Sequence, residues 1–358
     1  MPGVPESQGV TTNPVSRRAT ARDVAERAGC SASTVSLVFT GKDAGRVSPQ
    51  LRTLIFAAAA DLGYRVNSTA SALARGQLES VGFVGPDPTN PFFSMVLDGL
   101  TRHLDSAFSL TVLMPEGGED YNLSTVQRAL AGNLAGLILA SPGSEFLASF
   151  VPTCPTVILD AGGTAGELPS VDLDLRSAVR ELSGYLASLG HDRVAYVGVS
   201  REKKVSLQHR REELQARLLE HGSGLAVDDL VLEGMTIDDA YEGFRRIWPG
   251  WSAAGVTAVV CGDDLHAYGV LRAARSLGLD IPGDLSLVGF NDLPYSELTQ
   301  PSLSTVNLFA TRLGTEAAAL LGTYIRTGRA PRSKVLPSAL VIRESTGPVP
   351  PRSPRDGR

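Results

Sequence analysis

Polar and aromatic side chains follow several apolar runs of this 358-residue chain, at points where buried strands are predicted to end. They are Asn90, Phe92, Phe93, Ser141, Asp160, Asp263, Asp264, Asn291 and Asp292. Carboxylates and amides can hydrogen-bond to several hydroxyl groups, and an aromatic ring supplies a flat apolar wall. The set therefore predicts a site for a polyhydroxylated small molecule. Each acid could instead cap a following helix, which is as good an account for Asp264 and Asp292 but a weaker one for Asp160 and Asp263.

The elements that position these residues alternate between strands and helices. Eight apolar runs have strand length, at 81–84, 110–113, 136–139, 156–159, 194–197, 230–232, 258–261 and 285–288. Apolar strands separated by amphipathic helices predict an α/β fold whose parallel sheets are covered on both faces. Eight of them predict a body of two doubly wound lobes, with the ligand crevice at the carboxyl ends of the strands. We expect the chain to cross between lobes near Val171 and Val306.

Residues 19–40 predict a helix, a tight turn and a second helix. Thr20 and Asp23 can form a capping box at the start of the first helix, and Gly29 can end it in the left-handed conformation. Ser31 can cap the second helix. That helix is predicted to bury Val35, Val38 and Phe39 and to leave Ala32, Ser33, Ser36 and Leu37 to a partner. Such an all-α helix-turn-helix unit is a common reader of the DNA major groove.

Charge and a third helix support DNA binding by this segment. Ser48 as N-cap and Pro49 at the first helical position predict a helix that runs through Leu54 and Leu62 and stops at Gly63. The whole chain carries −5, whereas residues 17–65 carry +4. A cationic unit on an anionic body favours phosphate contact at one end. Two basic side chains of the loop before the third helix, Lys42 and Arg46, are expected to meet phosphates.

Other classes of protein find little support in the sequence. No apolar run reaches membrane-spanning length and the polar, proline-rich start lacks a secretion signal, so we expect a cytoplasmic protein with no membrane partner. The three cysteines lack metal or redox spacing and fit a reducing compartment. The five histidines form no metal-ligand pattern and no strand is followed by a phosphate-binding glycine motif. We therefore expect no enzyme activity, no cofactor and no metal.

The chain resembles the LacI/GalR family of transcriptional regulators from about Ala19 to Thr346. Single motifs are short, but their order and spacing are specific to the family. They are Arg22-Asp23-Val24-Ala25, Thr34-Val35-Ser36, Val47-Ser48-Pro49, Leu62-Gly63-Tyr64-Arg65-Val66-Asn67, Asn90-Pro91-Phe92-Phe93, Leu189-Gly190-His191, Ile281 to Phe290 and Pro301 to Val306.

The resemblance implies a sequence-specific regulator, in the first instance a repressor. It would bind a pseudo-palindromic double-stranded operator as a homodimer, and a small-molecule effector, in the first instance a sugar, would change its affinity. A nucleobase or nucleoside is the alternative effector, because Phe92 or Phe93 could stack on a base. A non-regulatory sugar-binding protein is a further alternative, which the helix-turn-helix unit disfavours. DNA contacts are implied for Thr20, Ser31, Ala32, Ser33, Thr34, Ser36, Leu37, Lys42, Arg46, Asn67, Ala70, Leu73 and Ala74.

The family also implies how the chain is divided. The expected segments are a disordered tail (1–16), the DNA-binding domain (17–65), a hinge helix (66–77), the effector and dimerisation domain (78–346) and a second disordered tail (347–358). In the minor groove, Leu73 would act as a wedge that bends the duplex. On its residues alone, Leu73 is an exposed leucine in a linker.

Two departures from the family bear on specificity. Leu37 stands where the family often has arginine, so we expect contact with a thymine methyl or no readout there. Asn291 stands where the family has a carboxylate. The implied effector residues are Asn90, Phe92, Phe93, Ser141, Asp160, Arg210, Asp263 and Asn291, with Arg211 as an alternative to Arg210.

Overall fold

A computed structural model describes residues 19–39, 43, 45–62, 64, 80–85, 90–113, 126–127, 130, 134–199, 205–222, 224–225 and 229–349. The chain divides into two compact units, residues 1–77 and 78–358. The segments expected to form the amino-terminal tail (1–16) and the hinge helix (66–77) lie outside the described residues. The second tail was expected from residue 347, but residues 347–349 are described and hydrogen-bonded. His191 Nε2 donates to the Gly347 carbonyl at 3.0 Å, and the Val349 amide donates to the Leu189 carbonyl at 3.0 Å.

The described residues of the amino-terminal unit form three helices, α1 (Ala21–Ala28), α2 (Ala32–Phe39) and α3 (Pro49–Asp61). The capping box of Thr20 and Asp23 is present, and Gly29 ends α1 with a φ of 64°. Ser48 caps α3, as predicted. The core of the unit contains Val24, Ala25, Val35, Val38, Ile55, Ala58 and Ala59. Leu54, through which α3 was predicted to run, lies on its exposed side and is 57% exposed.

The body contains thirteen described strands. They are β1 (Ser80–Val84), β2 (Ser109–Leu113), β3 (Gly136–Ala140), β4 (Thr156–Leu159), β5 (Ser170–Asp174), β6 (Arg193–Val199), β7 (Gly224–Leu225), β8 (Leu230–Leu232), β9 (Ala258–Cys261), β10 (Ser286–Asn291), β11 (Ser304–Asn307), β12 (Lys334–Pro337) and β13 (Ala339–Val341). All eight predicted apolar runs form strands. β5 and β11 contain Val171 and Val306, near which the crossings were expected. β7 and β12 were not predicted, because β7 has two residues and β12 contains Lys334 and Pro337, and the short apolar run of β13 was missed.

The body helices with described bounds are α4 (Pro91–His103), α5 (Ser144–Ser149), α6 (Arg176–Ser188), α7 (Val205–Glu220), α8 (Ile237–Ala253), α9 (Asp264–Leu277) and α10 (Ala310–Thr327). Lobe 1 is built on a parallel sheet of order β12-β5-β4-β3-β1-β2, and lobe 2 on a sheet of order β13-β11-β10-β9-β6-β7 with β8 also paired to β6. The expected two doubly wound lobes are confirmed. The expectation of wholly parallel sheets is wrong at one edge, where β13 pairs antiparallel with β11.

The chain crosses between the lobes at three places. The crossings after β5 and after β11 lie where they were expected, near Val171 and Val306. A third crossing, between β12 and β13, passes through Ser338 and was not predicted. Ser338 Oγ donates to the Asp174 carbonyl at 2.6 Å, so the first and third crossings are hydrogen-bonded together. Three adjacent connections of this kind allow one lobe to move against the other as a hinge.

Two glycines let α4 and α10 of lobe 1 approach closely. A Cβ atom on Gly99 would lie 1.9 Å from the Thr311 carbonyl oxygen, and one on Gly314 would lie 1.9 Å from the Val96 carbonyl oxygen. Neither backbone oxygen can move aside without shifting its helix. The close packing fixes α4, whose first turn carries three of the predicted effector residues.

Candidate functional site

One cleft between the lobes is lined by all eight predicted effector residues. Its empty volume is about 410 Å³, counting the part open to solvent. Lobe 1 contributes Asn90, Phe92, Phe93, Ser141 and Asp160, and lobe 2 contributes Ser206, Leu207, Arg210, Met235, Asp263 and Asn291. Most of these residues follow the carboxyl end of a strand, which is where doubly wound folds bind ligands.

Three of the cleft residues have strained backbones. Ser141, Asp160 and Asn291 have φ angles of 53°, 49° and 110°, in the region that favours glycine. Each such residue costs about 1–3 kcal/mol, and such strain is concentrated at functional sites. Ser141 and Asp160 directly follow β3 and β4 and Asn291 ends β10, so these three strained positions lie at the edge of the sheets that forms the cleft, while Asp292 and Phe309 have left-handed φ angles outside its lining.

Lobe 1 supplies an apolar wall and a carboxylate. Phe92 and Phe93 pack edge to face with ring centroids 5.3 Å apart and are both buried. Ser141 Oγ donates to Asp160 Oδ2 at 3.1 Å. Burial raises the pKa of Asp160, and the guanidinium of Arg210 in the opposite lobe partly opposes this effect. The Asp160 carboxylate of lobe 1 thus interacts electrostatically with the guanidinium of Arg210 in lobe 2.

Lobe 2 supplies that cation. Arg210 Nη1 donates to the Gly262 carbonyl at 2.6 Å and to Asn291 Oδ1 at 3.2 Å, and its guanidinium lies over the Phe290 ring. Its Nε is buried and finds no hydrogen-bond partner among the described residues. Arg211, the alternative left open by the sequence, instead forms an ion pair with Asp229. The structure therefore places Arg210 in the cleft and Arg211 outside it.

The structure assigns the helix-capping role to a different acid from those favoured by the sequence. Asp263, not Asp264, caps α9, because its Oδ1 accepts from the Leu265 amide at 2.8 Å. Asp264 lies within the first turn of α9, fully buried, and accepts hydrogen bonds from the Leu293 amide, Ser296 Oγ and Thr305 Oγ1. Burial raises its pKa to about 7.

Asp292 does not cap a helix either. It accepts from Arg343 Nη2 at 2.7 Å and from Asn307 Nδ2 at 2.9 Å. The capping role considered for Asp264 and Asp292 was therefore wrong. Both carboxylates instead brace the segment between β10 and β11, directly after the cleft residue Asn291.

Three cleft residues were missed by sequence reasoning. Ser206 lies one helical turn before Arg210 on α7, and this spacing could have identified it. Leu207 follows it, and Met235 lies between β8 and α8. Neither of these two is polar, and an apolar residue in a strand-rich body gives no signal that separates a cleft wall from a core.

The residues predicted to contact DNA are only partly described. Ser31 Oγ accepts from the Thr34 amide at 3.1 Å and so caps α2. Thr20, Ser31, Ala32, Ser33, Ser36 and Arg46 are exposed, and Thr34 and Leu37 are half-buried. The predicted contacts Lys42, Asn67, Ala70, Leu73 and Ala74 lie outside the described residues.

The described residues show neither a metal cluster nor a membrane span. They contain no group of three or more His, Cys, Asp or Glu side chains suited to a metal ion. Each described helix is too short or too polar to traverse a lipid bilayer. A helix-turn-helix unit followed by a two-lobed body with a polar cleft defines a class of protein: regulators that join a DNA-binding unit to a periplasmic-binding-protein-like domain.

Comparison with known proteins agrees with this class. Residues 20–67 match the bacterial regulatory proteins of the lacI family, and residues 184–346 match a periplasmic binding protein-like domain. The transcriptional regulator AglR of Rhizobium meliloti is 30% identical over 352 residues, which cover 93% of this chain and 96% of that protein. The regulator MalR of Streptomyces coelicolor is 30% identical over 340 residues, which cover 92% and 96%.

A crystal structure of the Lac repressor bound to ONPG in its repressed state has a TM-score of 0.75 to this structure. Its sequence is 25% identical, and the match covers 92% of this chain and all of that one. The chain belongs to the LacI family of DNA-binding transcriptional regulators.

Proposed function

We propose that this protein is a transcriptional repressor whose operator affinity is switched by a sugar bound in the interlobe cleft. It acts as a homodimer on a pseudo-palindromic operator. The exposed face of α2 reads the major groove, and residues 66–77 form the hinge helix in the minor groove. Effector and operator binding are reciprocally coupled, by about 1–3 kcal/mol in typical allosteric proteins.

The observation that carries the effector proposal is the buried Nε of Arg210, which has no hydrogen-bond partner in the part of the chain that the structure describes. A buried donor without an acceptor costs about 1–3 kcal/mol, and a ligand oxygen would remove that cost. Asp160 of lobe 1 can accept a hydrogen bond from the same ligand. A hydroxyl group both accepts and donates, so a polyol can bridge these two residues and hold the lobes together.

The effector proposal is tested by thermal shift of the full-length protein against a panel of sugars and nucleosides. We expect a sugar to raise the melting temperature, and Arg210→Gln to abolish the rise. Arg211→Gln is the matched control, since it removes the neighbouring guanidinium outside the cleft. A shift with nucleosides alone would replace the sugar by the alternative effector. If Arg210→Gln keeps the full response, the assigned role of Arg210 is wrong.

The DNA proposal is tested by recovery of genomic fragments at low ionic strength, followed by filter binding. Ala32→Glu places a negative charge on the exposed face of α2, where we expect operator affinity to fall at least tenfold through repulsion from phosphates. Ala57→Glu adds the same charge to an exposed position of α3 and serves as control. Equal losses in both variants would contradict the assigned reading face. If the wild-type protein retains no fragment, the repressor proposal fails.

A further inference from the structure

The carboxylate of Asp263 joins the two lobes. Its Oδ2 accepts from Asn90 Nδ2 of lobe 1 at 2.9 Å and from Asn291 Nδ2 of lobe 2 at 2.8 Å. The three side chains are buried, with exposed fractions of 4% for Asn90, 2% for Asp263 and 2% for Asn291. A hydrogen bond to an ionised group in a buried setting is stronger than one between neutral groups.

Asn90 is held in the orientation that this contact needs. Its Oδ1 accepts from the Phe92 amide at 3.0 Å and so caps α4. Because the oxygen is fixed on its own helix, the amide nitrogen must face the opposite lobe. Aspartate would cap the helix as well, but its ionised carboxylate has no donor for Asp263. A serine hydroxyl can cap and can donate, but it ends one bond closer to its own backbone than the asparagine amide nitrogen and so falls short of Asp263. The asparagine is thus needed for the contact between lobes and not for the helix.

Hydrogen bonding divides the predicted effector residues into two groups. Asp263 Oδ1 is occupied by the Leu265 amide, and Asn291 Oδ1 accepts from Arg210 Nη1. The polar atoms of Asn90, Asp263 and Asn291 therefore satisfy one another and their own helices. Among the described residues, Arg210 Nε has no hydrogen-bond partner, and Asp160 accepts a hydrogen bond from Ser141 within its own lobe. The second pair keeps more hydrogen-bonding capacity for a ligand than the first group, in which the amide nitrogens of Asn90 and Asn291 each retain one further N–H.

We propose that Asn90 and Asp263 form an interlobe clasp that sets the fraction of closed protein, whichever effector is bound. Asn90 is then a positioning residue. The effector closes the cleft through Arg210 and Asp160, and the clasp adds a fixed contribution that every ligand shares. Loss of the clasp lowers the closed-to-open ratio on the order of tenfold, and lowers the affinity for any effector that selects the closed form. Only this effect on affinity rests on the proposed function; the effect on closure does not.

The experiment measures the interlobe distance in the full chain by double electron–electron resonance. Spin labels are placed at Glu145→Cys in lobe 1 and Glu242→Cys in lobe 2, both exposed positions. Cys30 and Cys154 are replaced by serine, while the fully buried Cys261 stays. Labelled protein is diluted with a large excess of unlabelled protein, so that distances within one chain dominate.

Asn90→Ser keeps the helix cap and replaces the amide nitrogen by a shorter side chain that does not reach Asp263, and we expect it to move population from the short to the long interlobe distance. Asn90→Asp places a second carboxylate next to that of Asp263, and their repulsion should move still more of the population to the long interlobe distance. Ser170→Ala removes a buried serine–carboxylate hydrogen bond of 2.7 Å that stays inside lobe 1, and should leave the distribution as in the wild type.

Asp263→Asn is a second variant that tests the clasp. Asparagine still caps α9, but it replaces the charged acceptor of the hydrogen bond from Asn90 and so weakens the contact between the lobes. An Asn90→Ser protein that folds and shows the wild-type distribution overturns the proposal. A shift of equal size in Ser170→Ala overturns it as well. If no sugar changes the melting temperature, the effector proposal fails. The distance measurement would still show whether the contact between Asn90 and Asp263 favours the closed form.

Discussion

Gly314→Ala should destabilise the body, although alanine is the better helix former. In an ordinary helix this substitution gains about 0.8–1 kcal/mol. Here the new Cβ would lie 1.9 Å from the Val96 carbonyl oxygen and 2.9 Å from the Leu100 amide nitrogen, both backbone atoms of α4. The two helices must move apart by about 1 Å or more, and overpacking of this kind costs about 1–3 kcal/mol or more.

The matched control lies on the same helix. A Cβ on Gly322 meets only Arg326 Nη1, at 3.2 Å, which is the end of a flexible exposed side chain. Gly322→Ala should therefore raise the free energy of unfolding by up to about 1 kcal/mol. A domain of this size shifts its melting temperature by about 2–4 °C per kcal/mol, so the two variants should move in opposite directions.

Urea unfolding of the two variants, followed by circular dichroism, measures both values. Because α4 carries Asn90, Phe92 and Phe93 in its first turn, Gly314→Ala should also weaken any ligand response found in the screen. If Gly314→Ala is as stable as Gly322→Ala, the close helix approach is not a constraint and the packing argument is refuted.

Three further predictions concern other sites. The pKa of Asp264 is about 7 in the folded protein, compared with an ordinary value of 3.8. The folded state therefore binds this proton more tightly than the unfolded state does, and the resulting stabilisation is complete at low pH. It is lost as the pH rises from about 4 to about 7, and the free energy of unfolding falls by at most about 4 kcal/mol. Asp264→Asn should flatten this slope in urea titrations at pH 5 and 8, and an unchanged slope would count against it. Leu37→Arg should change base preference at one position of each half-site in a binding-site selection; identical selected sequences would refute that contact. Thr20→Ala removes the capping box of α1 and should cost about 1 kcal/mol of stability, whereas a neutral result would show that the cap is dispensable.

Local signals in the sequence were enough for the elements and for the position of the cleft. The eight apolar runs became strands, and Thr20, Gly29 and Ser48 began or ended helices as predicted, because caps and turns depend on residues a few positions apart. The rule that ligands bind at strand ends located seven of the eight predicted residues now found together in the cleft, since it depends on sheet topology and not on the details of packing. The eighth, Arg210, was implied only by the resemblance to the family.

Other features were decided only by contacts between distant parts of the chain. Arg210 and Arg211 are neighbours with the same chemistry, and only the packing of α7 on lobe 2 separates the cleft residue from the surface one. Asp263 and Asp264 are likewise adjacent, yet the tertiary fold makes one a cap and an interlobe contact and buries the other beneath β10 and β11. The antiparallel pairing of β13 and the third crossing at Ser338 also depend on partners far along the chain. Sequence thus determined which residues end each strand, and the long-range arrangement determined which of their atoms remain available to a ligand.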